Sequence, residues 1–225
     1  MSLKQIRRFS TLALLLFVLG IGVELYGQVA GGEIAKDIAA NGQSLRQYTY
    51  LQTTQVILKG EVKNTRKAQV HYDSTGQKVS VPLDSAEPAP TEGRGLKARI
   101  VEKKKDEMKE YVERLVGLMG QYLPPNPDKI KAALPTAQIT PPAGGNAKIA
   151  FNNYLKQGDT MALSVNSQSK KLDQISIQSS LDNDPVSFLV DFARLPDGTN
   201  YPSMTSIKSP SKGLEIKVTT SDYHK

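Results

Sequence analysis

The chain has 225 residues, a formal net charge of +7 and no cysteine. The missing thiol excludes a disulfide scaffold, thiolate metal sites, a cysteine nucleophile and a lipidated N-terminal cysteine. Two histidines, His71 and His224, are too few for a histidine-rich metal site, and 39% apolar with 23% charged residues is the composition of a globular chain.

Lys4, Arg7 and Arg8 precede an uncharged run from Leu12 to Val23, which Glu24 ends. As a helix that run rises about 18 Å, too short for a hydrocarbon core of about 30 Å. Residues 1–30 therefore read as a secretory signal peptide, with an uncleaved N-terminal membrane anchor as the alternative. The expected location is the periplasm or the outside of a bacterial cell. Loss of 1–30 removes three of 29 basic and one of 22 acidic residues, which leaves 26 against 21, a net of +5. The densest basic run, Lys103-Lys104-Lys105, is followed by Asp106 and Glu107. Mixed signs of that kind describe a solvated helix face, so nucleic acid is not an expected partner. Peripheral contact with anionic lipid headgroups stays open.

Residues 31–225 read as a single domain. A short helix over 33–46 carries Ile34, Ile38 and Leu45 on one side. From Tyr48 to about Lys63 a strand is expected, because Tyr50, Gln52, Thr54, Val56 and Leu58 alternate with Leu51, Thr53, Gln55 and Ile57; Gly60 is read as a bulge in it. Ala68, Val70 and Tyr72 form a second alternating run, Asp73 to Gly76 a turn, and Val79 and Val81 a third run. Proline- and glycine-rich residues 82–95 are a loop.

A helical middle, about 96–135, follows. Met108, Tyr111, Val112, Leu115, Met119 and Tyr122 form one apolar stripe at helical spacing. Pro124-Pro125 stops that helix; Asn126 is placed to cap a second one that starts at Pro127 and turns Ile130, Ala133 and Leu134 to one side. Pro135 and Pro141-Pro142 end the helical region. From 147 to 222 the pattern is a β-meander, clearest in Val186, Phe188, Val190 and Phe192. Short connections without helices favour an antiparallel sheet with one buried face. The competing arrangement has 146–225 closing separately as a small sandwich.

Chemistry-bearing motifs are absent: no phosphate-binding glycine loop, nucleophile elbow or zinc-binding histidine pair occurs. Two S-x-x-K matches, Ser167/Lys170 and Ser209/Lys212, fall in expected turns, so Ser167 and Ser209, like His71 and His224, are read as dispensable. The Asp182-Asn183-Asp184 turn lacks the glycine and distal glutamate of a calcium loop. Asp191 is expected to point out of the sheet, since Phe188, Val190 and Phe192 hold the other register. No enzyme activity, metal or cofactor is expected.

The segment Tyr48-Thr-Tyr-Leu-Gln-Thr-Thr-Gln-Val-Ile-Leu-Lys-Gly60 after a short helix, a proline-broken helical middle and a closing meander together resemble the periplasmic lipoprotein-carrier (LolA-like) superfamily and its mycobacterial (LppX-like) lipoprotein relatives. Asn153 to Asp159 and Leu195 to Tyr201 are also similar to a group of uncharacterised secreted bacterial proteins. The resemblance implies a curved, half-open β-barrel with helices lying in its mouth. The expected fold is thus α+β: a curved antiparallel sheet with an amphipathic helical lid inserted between N- and C-terminal strands. The expected function is binding of an apolar ligand, a lipid or acyl chain, between lid and sheet. Met108, Tyr111, Met119 and Tyr122 would line the lid, and Tyr50, Val56, Met161 and Phe188 the sheet. The alternative is an envelope interaction or assembly protein with a solid core.

Overall fold

The computed structural model describes residues 33–34, 36–83, 96–143 and 145–225. The expected signal peptide and most of the loop read over 82–95 lie outside the described residues. Helix α1 (36–45) leads into β1 (Thr49–Leu58), β2 (Glu61–Tyr72) and β3 (Lys78–Pro82). Helices α2 (Leu96–Tyr122) and α3 (Pro127–Ala133) and a 3₁₀ turn (Leu134–Thr136) follow. Seven strands complete the chain: β4 (Gln138–Ala143), β5 (Asn146–Asn152), β6 (Thr160–Asn166), β7 (Leu172–Leu181), β8 (Asp184–Arg194), β9 (Asn200–Ser209) and β10 (Leu214–His224).

All ten strands form one sheet in the order β3-β2-β1-β10-β9-β8-β7-β6-β5-β4, and every neighbouring pair is antiparallel. The two ends of the order do not pair, so the sheet is not closed into a barrel. The first and last strands meet in its middle, Thr54 opposite Val218 and Val56 opposite Ile216. A single sheet therefore runs through the N- and C-terminal strands, unlike a separate C-terminal sandwich.

Two details differ from the sequence reading. The stretch read as one strand to Lys63 is a hairpin: Leu58 pairs with Glu61, and the two residues between them, Lys59 (φ 53°) and Gly60 (φ 82°), are both left-handed. That is the backbone a two-residue hairpin turn requires, and glycine supplies half of it without strain. Residues 138–143, which follow the helical region, are β4; this edge strand tolerates Pro141 and Pro142 because only one of two successive N–H groups faces β5, and the β4–β5 register is interrupted between Thr140 and Ala143.

Residues opposite each other share a face. One row across the sheet runs Phe151, Met161, Ile177, Phe188, Ile207, Ile216, Val56. The next runs Ile149, Leu163, Ile175, Val190, Thr205, Val218, Thr54. This face carries the core, together with Tyr111, Leu115, Leu118 and Tyr122 of α2 and Ile130 of α3. Asn126 caps α3, its side chain accepting from the Asp128 and Lys129 amides. The opposite face is mostly polar. Asp191 lies on it and accepts a hydrogen bond from Gln174 at 2.8 Å.

Candidate functional site

Helix α2 spans about 40 Å at 1.5 Å per residue. Nine strand spacings of about 4.8 Å make the sheet about 43 Å wide, so the length of α2 falls just short of its full width. Side-chain ties fix where its C-terminal half lies. Tyr111 Oη and Ser209 Oγ, at the end of β9, are 2.7 Å apart and buried. One turn on, Arg114 pairs with Asp182 in the β7–β8 turn at 2.5 Å. At the last turn Tyr122 donates to Asp159 Oδ2 at 2.5 Å and lies 2.9 Å from Ser179 Oγ. Tyr111 and Tyr122 are separated by about 16 Å of helix rise, and β9 and β6 by about 14 Å, so the ties match the geometry.

Asp159 is the anchor of this end. It is buried, and its Oδ2 also accepts from the Leu155 and Lys156 amides at 3.0 Å each. The carboxylate thereby holds its own turn between β5 and β6 and the end of the lid. Burial and the Asp159 hydrogen bond push the Tyr122 hydroxyl up to about 12. Ser209, read as dispensable, is fully buried and ties α2 to the sheet; its S-x-x-K partner Lys212 pairs instead with Asp184 at 3.2 Å.

At the other end of the strands α1 is held by polar contacts. Asp37 pairs with Lys171, Asn41 Oδ1 accepts from the Asn200 amide at 2.9 Å, and Tyr48, just beyond α1, donates to Asp197 at 2.5 Å. The Tyr48 hydrogen bond and the Thr199 amide hold the Asp197 carboxyl well below its usual range. Tyr50 stacks on Tyr223 at 4.7 Å, and Tyr201 meets Tyr223 at 4.4 Å. Tyr50 and Tyr201 come from the strands on either side of β10, so only the β1–β10–β9 order brings this cluster together, and the local sequence pattern carries no sign of it.

The structure sorts the eight expected ligand-lining residues into three groups. Tyr111, Tyr122, Met161 and Phe188 are buried in the core cluster beneath the second half of α2. Met108, Met119 and Val56 are half-buried and pack against its margin. Tyr50 is buried at the far end of β1, in the tyrosine cluster. Leu118, not singled out in the sequence, completes the buried stripe at i, i+4, i+7 and i+11 from Tyr111.

The cover over the core face is uneven. From Phe151 to Ile216 every member of the first row is buried; Val56, next in line, is only half-buried. In the second row Val218 and Thr54 are likewise half-buried. Residues 102–107 of α2 are all exposed, and Val112 is half-buried. The apolar face therefore runs on past the sealed part, over β1 and the Val218 end of β10.

No protein-family model matches the chain, and no curated protein matches it. Among solved structures, the chain is similar to a DUF1329 family protein from Desulfovibrio piger, with 12% identity over 87% of this chain and 91% of that one and a TM-score of 0.44. It is also similar to a domain classed with the outer membrane lipoprotein-sorting proteins from Vibrio parahaemolyticus, with 9% identity over 86% and 92% of the two chains and a TM-score of 0.35. No helix among the described residues is long and apolar enough to cross a membrane.

Proposed function

We propose that the protein is an exported, non-enzymatic binder of an apolar chain, a lipid or acyl group, held on the core face of β10 and β1 beside the middle of α2. The observation that carries this is the uneven cover: a continuous apolar row that is sealed from Phe151 to Ile216 and half-open at Val56. Val56, Leu58, Val218, Met108 and Val112 are all half-buried at the margin of the core. Apolar side chains in that state are the ordinary lining of a ligand cleft, where a bound chain completes their burial. Tyr111, Met119, Tyr122, Met161 and Phe188 form the wall behind, and line the site when α2 tilts away from β10. Tyr50 stands at the far end of the same face of β1.

A second reading, an envelope interaction protein with a solid core, is favoured by the close packing of Leu115, Met161 and Leu163, which have no solvent exposure. Native mass spectrometry of protein purified from a bacterial envelope separates the two, backed by titration of delipidated protein with the fluorescent fatty acid cis-parinaric acid. A co-purifying lipid, and probe binding that Val56→Asp weakens at least tenfold, support the binder. No bound lipid and no saturable probe binding leave the interaction protein.

A further inference from the structure

We propose that the polar face of the sheet, over β3, β2, β1, β10 and β9, is a surface that lies on an anionic lipid bilayer. Strand register gives the face its membership. Ile57 stands opposite both Val62 and Glu215, Gln55 opposite Lys217, and Thr53 opposite Lys67. Glu215 is in turn opposite Lys208, and Gln69 opposite Val81. Leu83, just past β3, bonds through its amide to the Lys67 carbonyl and continues that face.

Two properties coincide there. The first is exposed apolar surface. Val62 is 54% exposed, Val81 44% and Leu83 53%. Three large apolar side chains left in water on one side of two adjacent strands are not explained by anything packed on them within the described residues.

The second is charge. On the face itself Lys67, Lys208 and Lys217 stand against Glu215, which is already paired with Lys208 at 3.7 Å. Lys217 is half-buried and forms no ion pair with any described carboxylate. Lys59 and Lys63 extend the positive end around the β1–β2 turn, where Glu61 pairs with Lys63. Of the carboxylates on these five strands, Glu61 pairs with Lys63 and Glu215 with Lys208, and Asp222 lies at the far end of β10.

Exposed apolar side chains among lysines on one sheet face fit the headgroup layer of an anionic membrane. The aliphatic stems and valines enter the interface while the ammonium groups stay with lipid phosphates. A protein partner is the poorer fit, because lysine is depleted at the centre of protein interfaces. Each lysine close to an anionic surface strengthens binding by about fivefold at moderate ionic strength.

The test is sedimentation of the exported form, residues 31–225, with vesicles of about one-third phosphatidylglycerol in phosphatidylcholine, against pure phosphatidylcholine, in about 0.1 M and about 1 M salt. Binding is expected to the anionic vesicles only and to vanish in high salt. Lys63→Glu/Lys217→Glu should weaken it by at least about 25-fold. Val81→Ser/Leu83→Ser should weaken it several-fold, and Lys104→Glu/Lys105→Glu, the same charge change on exposed α2, should leave it unaltered. Circular dichroism melting of each variant keeps folding separate from binding. Three results overturn the proposal: no binding to anionic vesicles in low salt, equal binding to phosphatidylcholine, or equal loss in the Lys104/Lys105 pair.

Discussion

Leu115→Ala tests whether α2 is packed on the sheet as the ties imply. Leu115 has no solvent exposure and lies between Tyr111 and Tyr122 in the core cluster. Removing three carbons from such a site costs about 2.4 kcal/mol in transfer free energy, at about 0.8 per methylene. A residual void of about 50 Å³ adds about 1 kcal/mol, giving about 3.5 kcal/mol in all. Val116, next in sequence, is 43% exposed on the other side of the helix. Val116→Ala loses little burial and gains a few tenths of a kcal/mol in helix propensity. In urea, with a slope of about 2.5 kcal/mol per molar, Leu115→Ala should lower the unfolding midpoint by about 1.4 M, while Val116→Ala stays within about 0.2 M of the parent. Equal midpoints for the two variants would refute the packing of α2 on β5–β9.

Three further expectations concern the polar ties. Tyr111→Phe leaves the fully buried Ser209 hydroxyl without its partner and should cost about 1–2 kcal/mol; adding Ser209→Ala should restore part of it, and a double-mutant cycle without measurable coupling would remove this tie. Tyr122 ionises at about 12 in the folded chain, against about 10 unfolded. Its contribution is complete below about pH 10 and lost as pH rises through about 12, so Tyr122→Phe should show a shallower alkaline decline in urea midpoints. Asp197 is shifted the opposite way. Its contribution is present above the unfolded carboxylate value of about 3.9 and lost as pH falls below it. Asp197→Asn should therefore flatten the acid limb below about pH 4; parallel limbs for parent and variant would show that the Tyr48 contact adds nothing.

Period and capping rules carried most of the fold, because the elements that position the site obey them. The 108–122 stripe is the buried face of α2, Asn126-Pro127 opens α3, and the alternation at Phe188 and Val190 gives the inner face of β8. What escaped depends on pairings or on backbone signs that a sequence does not display. Lys59 in the left-handed region turns one long strand into a hairpin, and lysine there carries no turn signal of its own. Pro141 and Pro142 argue against a strand unless it is known to be an edge. Ser209 looked like turn chemistry because its partner, Tyr111, lies 98 residues earlier. The eight candidate lining residues all proved to be on the core face or its helix, but the local pattern does not state how fully α2 covers them.

The topology dictates how such a lid can open. The chain leaves the sheet at one edge, β3, and re-enters at the other, β4, so α2 joins no strand ladder and lifting it breaks no sheet hydrogen bond. Its attachment is the buried stripe of Tyr111, Leu115, Leu118 and Tyr122 plus its polar ties. Exposing four such side chains at about 1.5–3 kcal/mol each costs about 6–12 kcal/mol, comparable with the whole stability of a domain. Full detachment is therefore closed to thermal motion. Partial opening is cheaper: freeing Met108, Val112 and Tyr111 gives up about a third of that plus about 1–2 kcal/mol for the Tyr111–Ser209 bond, and states about 3–6 kcal/mol above the ground state are populated at about 0.004–0.6%. The pivot is then the Tyr122–Asp159 end, where two backbone amides and a tyrosine converge on one carboxylate oxygen. Opening from the β10 end exposes Val56 and Leu58 first, the same residues left half-buried in the closed structure. Amide hydrogen exchange should accordingly show residues 106–112 opening at least tenfold faster than 118–122. Uniform exchange along the buried half of α2 would mean that the helix leaves the sheet only when the whole protein unfolds.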